Sequence, residues 1–278
     1  MELFDITSLK ISQVVTTSYS TSFSLATRLM LKEKREYIYA IYGFVRLADE
    51  IVDTFHGHDQ EFLLDKLETE LRLAIDKKIS LNPILNSFQL TVHKYKIPLE
   101  YITAFLNSMR SDLCKTVYAS KCETDNYIFG SADVVGLMCL KVFCNGNNQQ
   151  FEQLKKPAMR LGSAFQKVNF LRDFRCDSED LGRTYFHQLK TGDFTEESKA
   201  LIIQEIEEDF NIAYQGIKQL PTDAKVAVLL AYIYYRKLLI KLKHTPAAKI
   251  KEKRIRIPDS LKLVYMMKAV VQGKLNLL

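Results

Sequence analysis

Helical periodicity with very few interruptions constrains this chain most. Across Glu36 to Phe55, the residues Ile41, Phe44, Val45, Ala48, Val52 and Phe55 recur at spacings of three and four. That pattern puts them on one face of a helix. The breakers that would interrupt such patterns are sparse: 10 Gly and 6 Pro in 278 residues. A turn-rich β fold needs more of them. Further amphipathic segments are expected at Gln60 to Ile79, with Phe62, Leu63, Leu67, Leu71 and Ala74 inward, and at 83–95, 99–113, 126–144, 196–220 and 223–243. Asn82-Pro83 marks a break, Cys144 to Asn148 a turn, and Lys190 to Asp193 a loop. Pro157 suits the first turn of a helix running to about Cys176. Asp180-Leu181-Gly182 ends that region, and a last helix follows Pro258 to about residue 272. With no linker, repeat or low-complexity tract, the expectation is one all-α domain spanning 1–278, a helical bundle.

Hydrophobic residues make up 47% of the chain, which places it among globular proteins. Five Cys without a Cys-x-x-Cys pair read as free thiols in a reducing compartment. The five His form no metal-type cluster. No basic, apolar leader is visible at Met1 to Asp5. The most apolar candidate for a membrane span, Val226 to Ile240, contains Arg236 and Lys237 and falls short of one. A cytoplasmic protein with peripheral membrane contact as an option is the expectation. The net charge of +6 is local, because Arg236 to Arg256 holds nine Lys or Arg and one Glu. Such a block suits a solvated face, a membrane surface or an anionic ligand.

Two Asp-x-x-x-Asp spacings carry the chemistry. Asp49 and Asp53 lie in one helical segment, and Asp173 and Asp177 in another. Two such spacings among sixteen Asp are weak evidence alone. Their surroundings strengthen them. Gly162, Gln166, Asn169, Asp173 and Asp177 fall on one helical stripe, polar throughout and acidic at one end. Tyr42, Arg46, Asp49 and Asp53 form a second stripe. Like charges four apart on a helix repel unless something offsets them, and a metal ion is the simplest offset. Arg46 and Arg172 beside the acids suit a diphosphate, whose oxygens take both Mg²⁺ and N–H donors. A pair of solvated helices with ordinary ion pairs is the alternative at this level.

These residues resemble the squalene/phytoene synthase family. Tyr39-Ala40-Ile41-Tyr42-x-x-x-Arg46-x-x-Asp49-Glu50-x-x-Asp53 is similar to its first aspartate-rich motif. Gly162-x-x-x-Gln166-x-x-Asn169-x-x-Arg172-Asp173-x-x-x-Asp177 is similar to its second. Ser20-x-Ser22-Phe23-Ser24, Tyr127 with Gly130 to Gly136, Gly182-Arg183-x-Tyr185-Phe186, Tyr234 and Arg254-Ile255-Arg256 extend the likeness over roughly residues 15 to 265. Asp133 stands where the family often has Gly, and His187 where many members have Pro nearby.

The resemblance implies a bundle of the isoprenoid synthase type around a central cavity. It implies head-to-head (1′-1) condensation of two prenyl diphosphates through a cyclopropyl intermediate. Asp49, Asp53, Asp173 and Asp177 would bind Mg²⁺, or Mn²⁺ in its place. Arg46, Arg172, Arg254, Ser20 and Ser22 would hold the diphosphates, with Gln166 and Asn169 completing the polar wall. Tyr127 and Tyr234 would face the reacting carbons. The favoured expectation is a bacterial-type phytoene synthase using geranylgeranyl diphosphate without NADPH. The alternatives are a squalene or dehydrosqualene synthase using farnesyl diphosphate, and a non-catalytic relative acting as an assembly factor. Nucleic acid is not expected as a partner, since the carboxylate stripes would then have no role.

Overall fold

The computed structural model describes residues 1–180, 182–189 and 194–274. The expected loop Lys190 to Asp193, and Leu181 of the expected break, lie outside them. The chain opens with α1 (Glu2–Tyr19), α2 (Thr21–Thr27), α3 (Lys32–Thr54) and α4 (Gln60–Lys77). It continues through α5 (Pro83–Tyr95), α6 (Leu99–Cys114), α7 (Lys121–Ile128), α8 (Val134–Cys144) and α9 (Asn148–Arg172). It closes with α10 (Glu196–Gln219), α11 (Thr222–Lys243), α12 (Ala247–Glu252) and α13 (Asp259–Lys274). The strand-like pairing among the described residues is a single bridge, Val117 with Thr184.

Local chemistry sets the element boundaries. Ser20 separates α1 from α2, and its hydroxyl accepts from the Phe23 N–H at 3.2 Å. Asn82 caps α5 through the Ile84 N–H, with Pro83 at the first helical position. Thr195 and Ser198 reciprocate as a capping box on α10. At the far ends, Lys78, Lys96 and Asn145 adopt the left-handed conformation that stops a helix.

Two apolar clusters hold the bundle together. One centres on α3, α5, α6 and α8, where Phe44 stacks on Phe88 at 4.2 Å and meets Phe105 edge-on at 5.5 Å. The other joins α9, α10 and α11 through Val168, Leu171, Ile206, Phe210 and Leu238. Each fully buried side chain of this size contributes about 1.5–3 kcal/mol. Leu161, Tyr232 and Tyr265 touch both clusters. Between the clusters lies a cavity of about 380 Å³.

Several expectations change. Pro157 sits well inside α9, which begins at Asn148 under an Asn147 cap. Gly216 of α10 faces the proline: a Cβ there would lie 2.3 Å from the Pro157 Cβ, so the pair lets α9 and α10 approach closely. The α9 helix ends at Arg172, and Asp177 is carried on a following π-turn, Cys176–Asp180. The carboxylate stripe therefore crosses a break at Asp173. Phe62 points outward, 60% exposed, while Leu64 takes the buried position. Leu64, Leu67, Leu71 and Ala74 share the buried side, and at 100° per residue Phe62 falls opposite them. The segment expected at 126–144 starts at Lys121, where Ser120 and Glu123 form a capping box. It runs on to Cys144 through a π-turn at Phe129–Asp133. Among the described residues, Lys121–Cys144, not 226–240, is the helical stretch long and apolar enough to cross a membrane, yet 61% of its window is buried. Packing against α6 and α9 makes it a core helix.

Candidate active site

The two acidic segments face each other across one end of the cavity. On α3, Arg46 pairs with both Asp49 and Glu50, and its guanidinium lies 4.5 Å from the centre of the Tyr19 ring. After α9, Arg172 Nε lies 3.1 Å from both Asp173 carboxylate oxygens. Arg254, from the segment after α12, reaches the same carboxylate at 2.6 Å. Arg183 links the two sides. Its Nη1 lies 3.5 Å from Asp53, and its backbone N–H donates to the Asp177 carbonyl at 2.6 Å. Its Nη2 donates to the Asp112 carbonyl at 2.7 Å.

Crowding of like charge shows in the acids themselves. Burial, then the neighbouring Asp53, pushes the Asp49 carboxyl up to about 6. Burial, then Asp173, pushes Asp177 up to about 7. Both are held as acids short of positive charge despite the arginines. Among the described residues, no three Asp, Glu, His or Cys side chains converge as a closed metal cage. Mg²⁺ rarely uses such a cage; it keeps waters and takes one or two carboxylates plus substrate phosphates. Two carboxylate pairs, ringed by arginines, fit that mode of binding.

The acidic end continues into the cavity. Ser20, Ser22, Tyr42, Gln166, Asn169 and Tyr234 line it, and Asn169 and Tyr42 lie one or two turns from Asp173 and Asp49. Tyr235 O–H donates to Asn169 at 3.2 Å, and Gln166 Nε2 approaches the Ser131 hydroxyl at 3.4 Å. Beyond this polar collar the walls are apolar, supplied by residues such as Phe23, Val45, Leu161 and Phe165. Phe23 stacks on Tyr42 at 4.8 Å and Phe165 on Tyr235 at 4.0 Å, so the aromatic walls are braced.

Most of the expected residues thus converge. Tyr127 departs from expectation: it does not line the cavity. It sits in an aromatic stack with Tyr118, Phe170 and Tyr185, and its hydroxyl donates to Asp112 at 3.0 Å. Sequence reasoning missed Asp112 and Tyr235. Asp112 is buried, one carboxylate oxygen has no partner, and burial pushes its carboxyl up to about 7. It has no acid at four-residue spacing, so no stripe advertised it. Tyr235 follows Tyr234 directly, and α11 turns both toward the cavity.

Asp133, the departure from the family pattern, is buried in the π-turn beside α9. Its carboxylate accepts from Ser163 at 2.8 Å, and Gly162 leaves room for it. Burial pushes its carboxyl up to about 7 from 3.8. An acid raised on folding binds more protons in the native state, so its contribution falls as pH rises from about 4 to 7 and is flat above. Asp133→Asn should flatten that slope, raising stability at pH 8 relative to wild type by up to a few kcal/mol. Urea unfolding at pH 5 and pH 8 measures it. Equal pH slopes in the two proteins would contradict the expectation.

The chain matches the squalene/phytoene synthase family model over residues 16–260. It is 28% identical to phytoene synthase 3, chloroplastic, of Zea mays over 275 residues, covering 92% of this chain and 63% of that protein. It thus spans less than two thirds of that relative. The phytoene synthase of Arthrospira platensis is 27% identical over 257 residues, covering 84% of this chain and 82% of that one. A dehydrosqualene synthase crystal structure superposes with a TM-score of 0.83 at 19% identity, over 97% of this chain and 98% of that one. A squalene synthase from Alicyclobacillus acidocaldarius does so at 0.70 and 20%, over 89% and 95%. These two likenesses show a shared isoprenoid-synthase bundle. The similarity singles out no subtype, but with the motifs, the bundle and the family match in agreement, the chain belongs to the squalene/phytoene synthase family.

Proposed function

We propose that this protein condenses two prenyl diphosphates head to head. The carrying observation is the arrangement itself: two acidic segments with arginines at one end of an apolar, aromatic-walled cavity. Asp49, Asp53, Asp173 and Asp177 would hold Mg²⁺, which neutralises diphosphate charge as the leaving group departs. Arg46, Arg172 and Arg254 donate to phosphate oxygens, and Ser20 and Ser22 add weaker donors. Gln166 and Asn169, oriented by Ser131 and Tyr235, form the polar wall behind the phosphates. Loss of diphosphate leaves an allylic cation; the 2,3 double bond of the second substrate attacks it, and loss of a proton from the adduct, to the released diphosphate, closes the cyclopropyl intermediate, which keeps the second diphosphate. Tyr234 lines the cavity, and its ring face suits a cation there. Tyr127, in its buried stack, acts as support for Asp112 and the second motif. The apolar walls hold the tails and keep water from the cation.

Two tail lengths compete. The phytoene synthases among the relatives support the C20 reading favoured by the sequence. The superposing solved structures, a dehydrosqualene synthase and a squalene synthase, support the C15 reading. Purified protein with Mg²⁺ and the C15 or C20 diphosphate, with and without NADPH, separates them by mass spectrometry of the extracted hydrocarbon. A C30 product supports the shorter tail and a C40 product the longer. Folded protein that forms neither would sink the reaction and leave the non-catalytic reading.

A further inference from the structure

Behind the apolar end of the cavity, away from the acids, three helices meet at one ammonium group. Lys34 Nζ, in the first turn of α3, lies 2.7 Å from a carboxylate oxygen of Asp223, in the first turn of α11. It also donates at 2.8 Å to the carbonyl of Phe143, in the last turn of α8. The two charged side chains are only 14% and 22% exposed. Lys34 stands fifteen residues before Asp49 on α3, roughly 22 Å along the axis at the helical rise. Neither Lys34 nor Asp223 lines the cavity, but Ile38 and Ala227, one turn further along each helix, do, and so does Phe143 itself. The contact therefore lies just outside the wall that the far end of a bound tail would meet.

Local preferences do not explain this placement. A cation near a helix N-terminus opposes the helix dipole, so Lys34 stands at the unfavourable end of α3. It suits both partners instead. The last carbonyls of α8 lack intrahelical donors, and an acid is favoured in the first turn of α11. An ion pair so far out of water contributes little net stability, because desolvation offsets the attraction. The other Asp223 oxygen shows that cost, since it is buried with no partner. What the contact does fix is the relative position of three helix ends. Phe143 and Leu220, on either side of it, carry the bulky apolar groups of this part of the wall.

We propose that the Lys34–Asp223 contact sets the longest prenyl tail that this protein admits. This role rests on the proposed prenyl-diphosphate reading and names what ends the tail site. Lys34 touches no substrate; it is a positioning residue that holds Phe143 and the start of α11 closed behind the tail. A tail one isoprene unit too long must displace that wall and break the pair. Without the contact, the ends of α8 and α11 part more easily and the longer tail is admitted.

Thiolodiphosphate analogues with C10, C15, C20 and C25 tails, which bind without ionising, test this by calorimetry in the presence of Mg²⁺. In the wild-type chain, affinity should rise with tail length and then fall at one step. Lys34→Ala should move that fall one isoprene unit longer. Affinity for the first rejected analogue should rise roughly tenfold, the low end of what one methylene decides in an apolar pocket. Asp223→Ala should do the same, and it is the milder change, since Lys34 keeps the Phe143 carbonyl. The double variant should shift the profile no further than either single one, because both act through one contact. Lys34→Met, which keeps the stem and loses both bonds, stands in where an alanine variant does not fold by circular dichroism. Binding of inorganic diphosphate with Mg²⁺ should match wild type throughout. An unchanged length profile in the folded variants would overturn the proposal, as would equal weakening for every tail or a wild-type profile with no fall. A shifted profile in a protein that forms no hydrocarbon would uphold the contact's role and sink the proposed reaction. Normal hydrocarbon formation with an unshifted profile would do the reverse, and no binding of any analogue would overturn both.

Discussion

Asp173→Asn should lower turnover by roughly a thousandfold, the upper range for removing one group that stabilises charge in a transition state. Asp173 carries two guanidiniums, from Arg172 and from Arg254, so its loss also frees the donors that it positions. Asp49→Asn should match the loss by a different route. Burial and Asp53 already push that carboxyl up, so the neutral amide relieves repulsion. The expected signature is a dead or nearly dead enzyme whose melting temperature is unchanged or slightly raised, the trade of stability for function common at such sites. Single-turnover hydrocarbon formation and thermal unfolding measure the two halves. Wild-type turnover in either variant would remove the metal-site proposal.

The largest effect on stability should come from Lys167→Met. Lys167 is 4% exposed, and its ammonium lies 2.5 Å from Glu205 and 2.8 Å from Asp209. Arg160 and Lys121 complete the network at 3.1 and 3.2 Å, and Gln188 donates to Glu205 at 2.8 Å. Removing one partner of a buried pair leaves the other charge desolvated and alone, at a cost of about 3 kcal/mol. Arg160 still reaches Asp209, which keeps the cost at the low end of the usual range. The melting temperature should fall by roughly 6–12 °C. Lys121, exposed by more than half, should cost under about 1 kcal/mol when replaced by Ala. The sign with pH follows from Glu205. Burial pushes its carboxyl up, but the hydrogen bond and charge of Lys167, with Lys121, hold it down at about 2. Its stabilisation is present above about 4.5 and is lost as pH falls toward 2, so the gap between wild type and variant should narrow across that window. Denaturant unfolding at pH 7 and pH 3 checks both statements.

Much of the architecture was legible in the chain. A stripe such as Ile41, Phe44, Ala48 and Val52 specifies a helix and its buried side together, because periodicity is a local property. Local reading was weaker where two elements meet. Nothing near Pro157 in the chain says that Gly216, on another helix, will make room for its ring. The break at Asp173 and the π-turn carrying Asp177 were likewise hidden, since the Asp-x-x-x-Asp spacing is compatible with an unbroken helix. Phe62 shows the limit from the other side: an apolar residue one position off phase reads as core until the packing partner is known.

The same division runs through the site. Tyr42, Arg46, Asp49 and Asp53, and Gln166, Asn169 and Asp173, could be aligned from spacing alone, because each set lies on a single turn-by-turn track. That alignment, with the order of the motifs, determined the helical class and the family, and it points to the proposed diphosphate ligand. The tertiary structure decided which groups meet. It placed Arg254 on Asp173 and Arg183 between Asp53 and Asp177, across separations that no periodicity encodes. It withdrew Tyr127 from the cavity into an aromatic stack and brought Tyr235 forward. It also set Lys243 against Glu207 and Lys241 against the Arg256 carbonyl. Burial and long-range charge are set by the sum of all packed neighbours, so they become readable only when the helices are assembled.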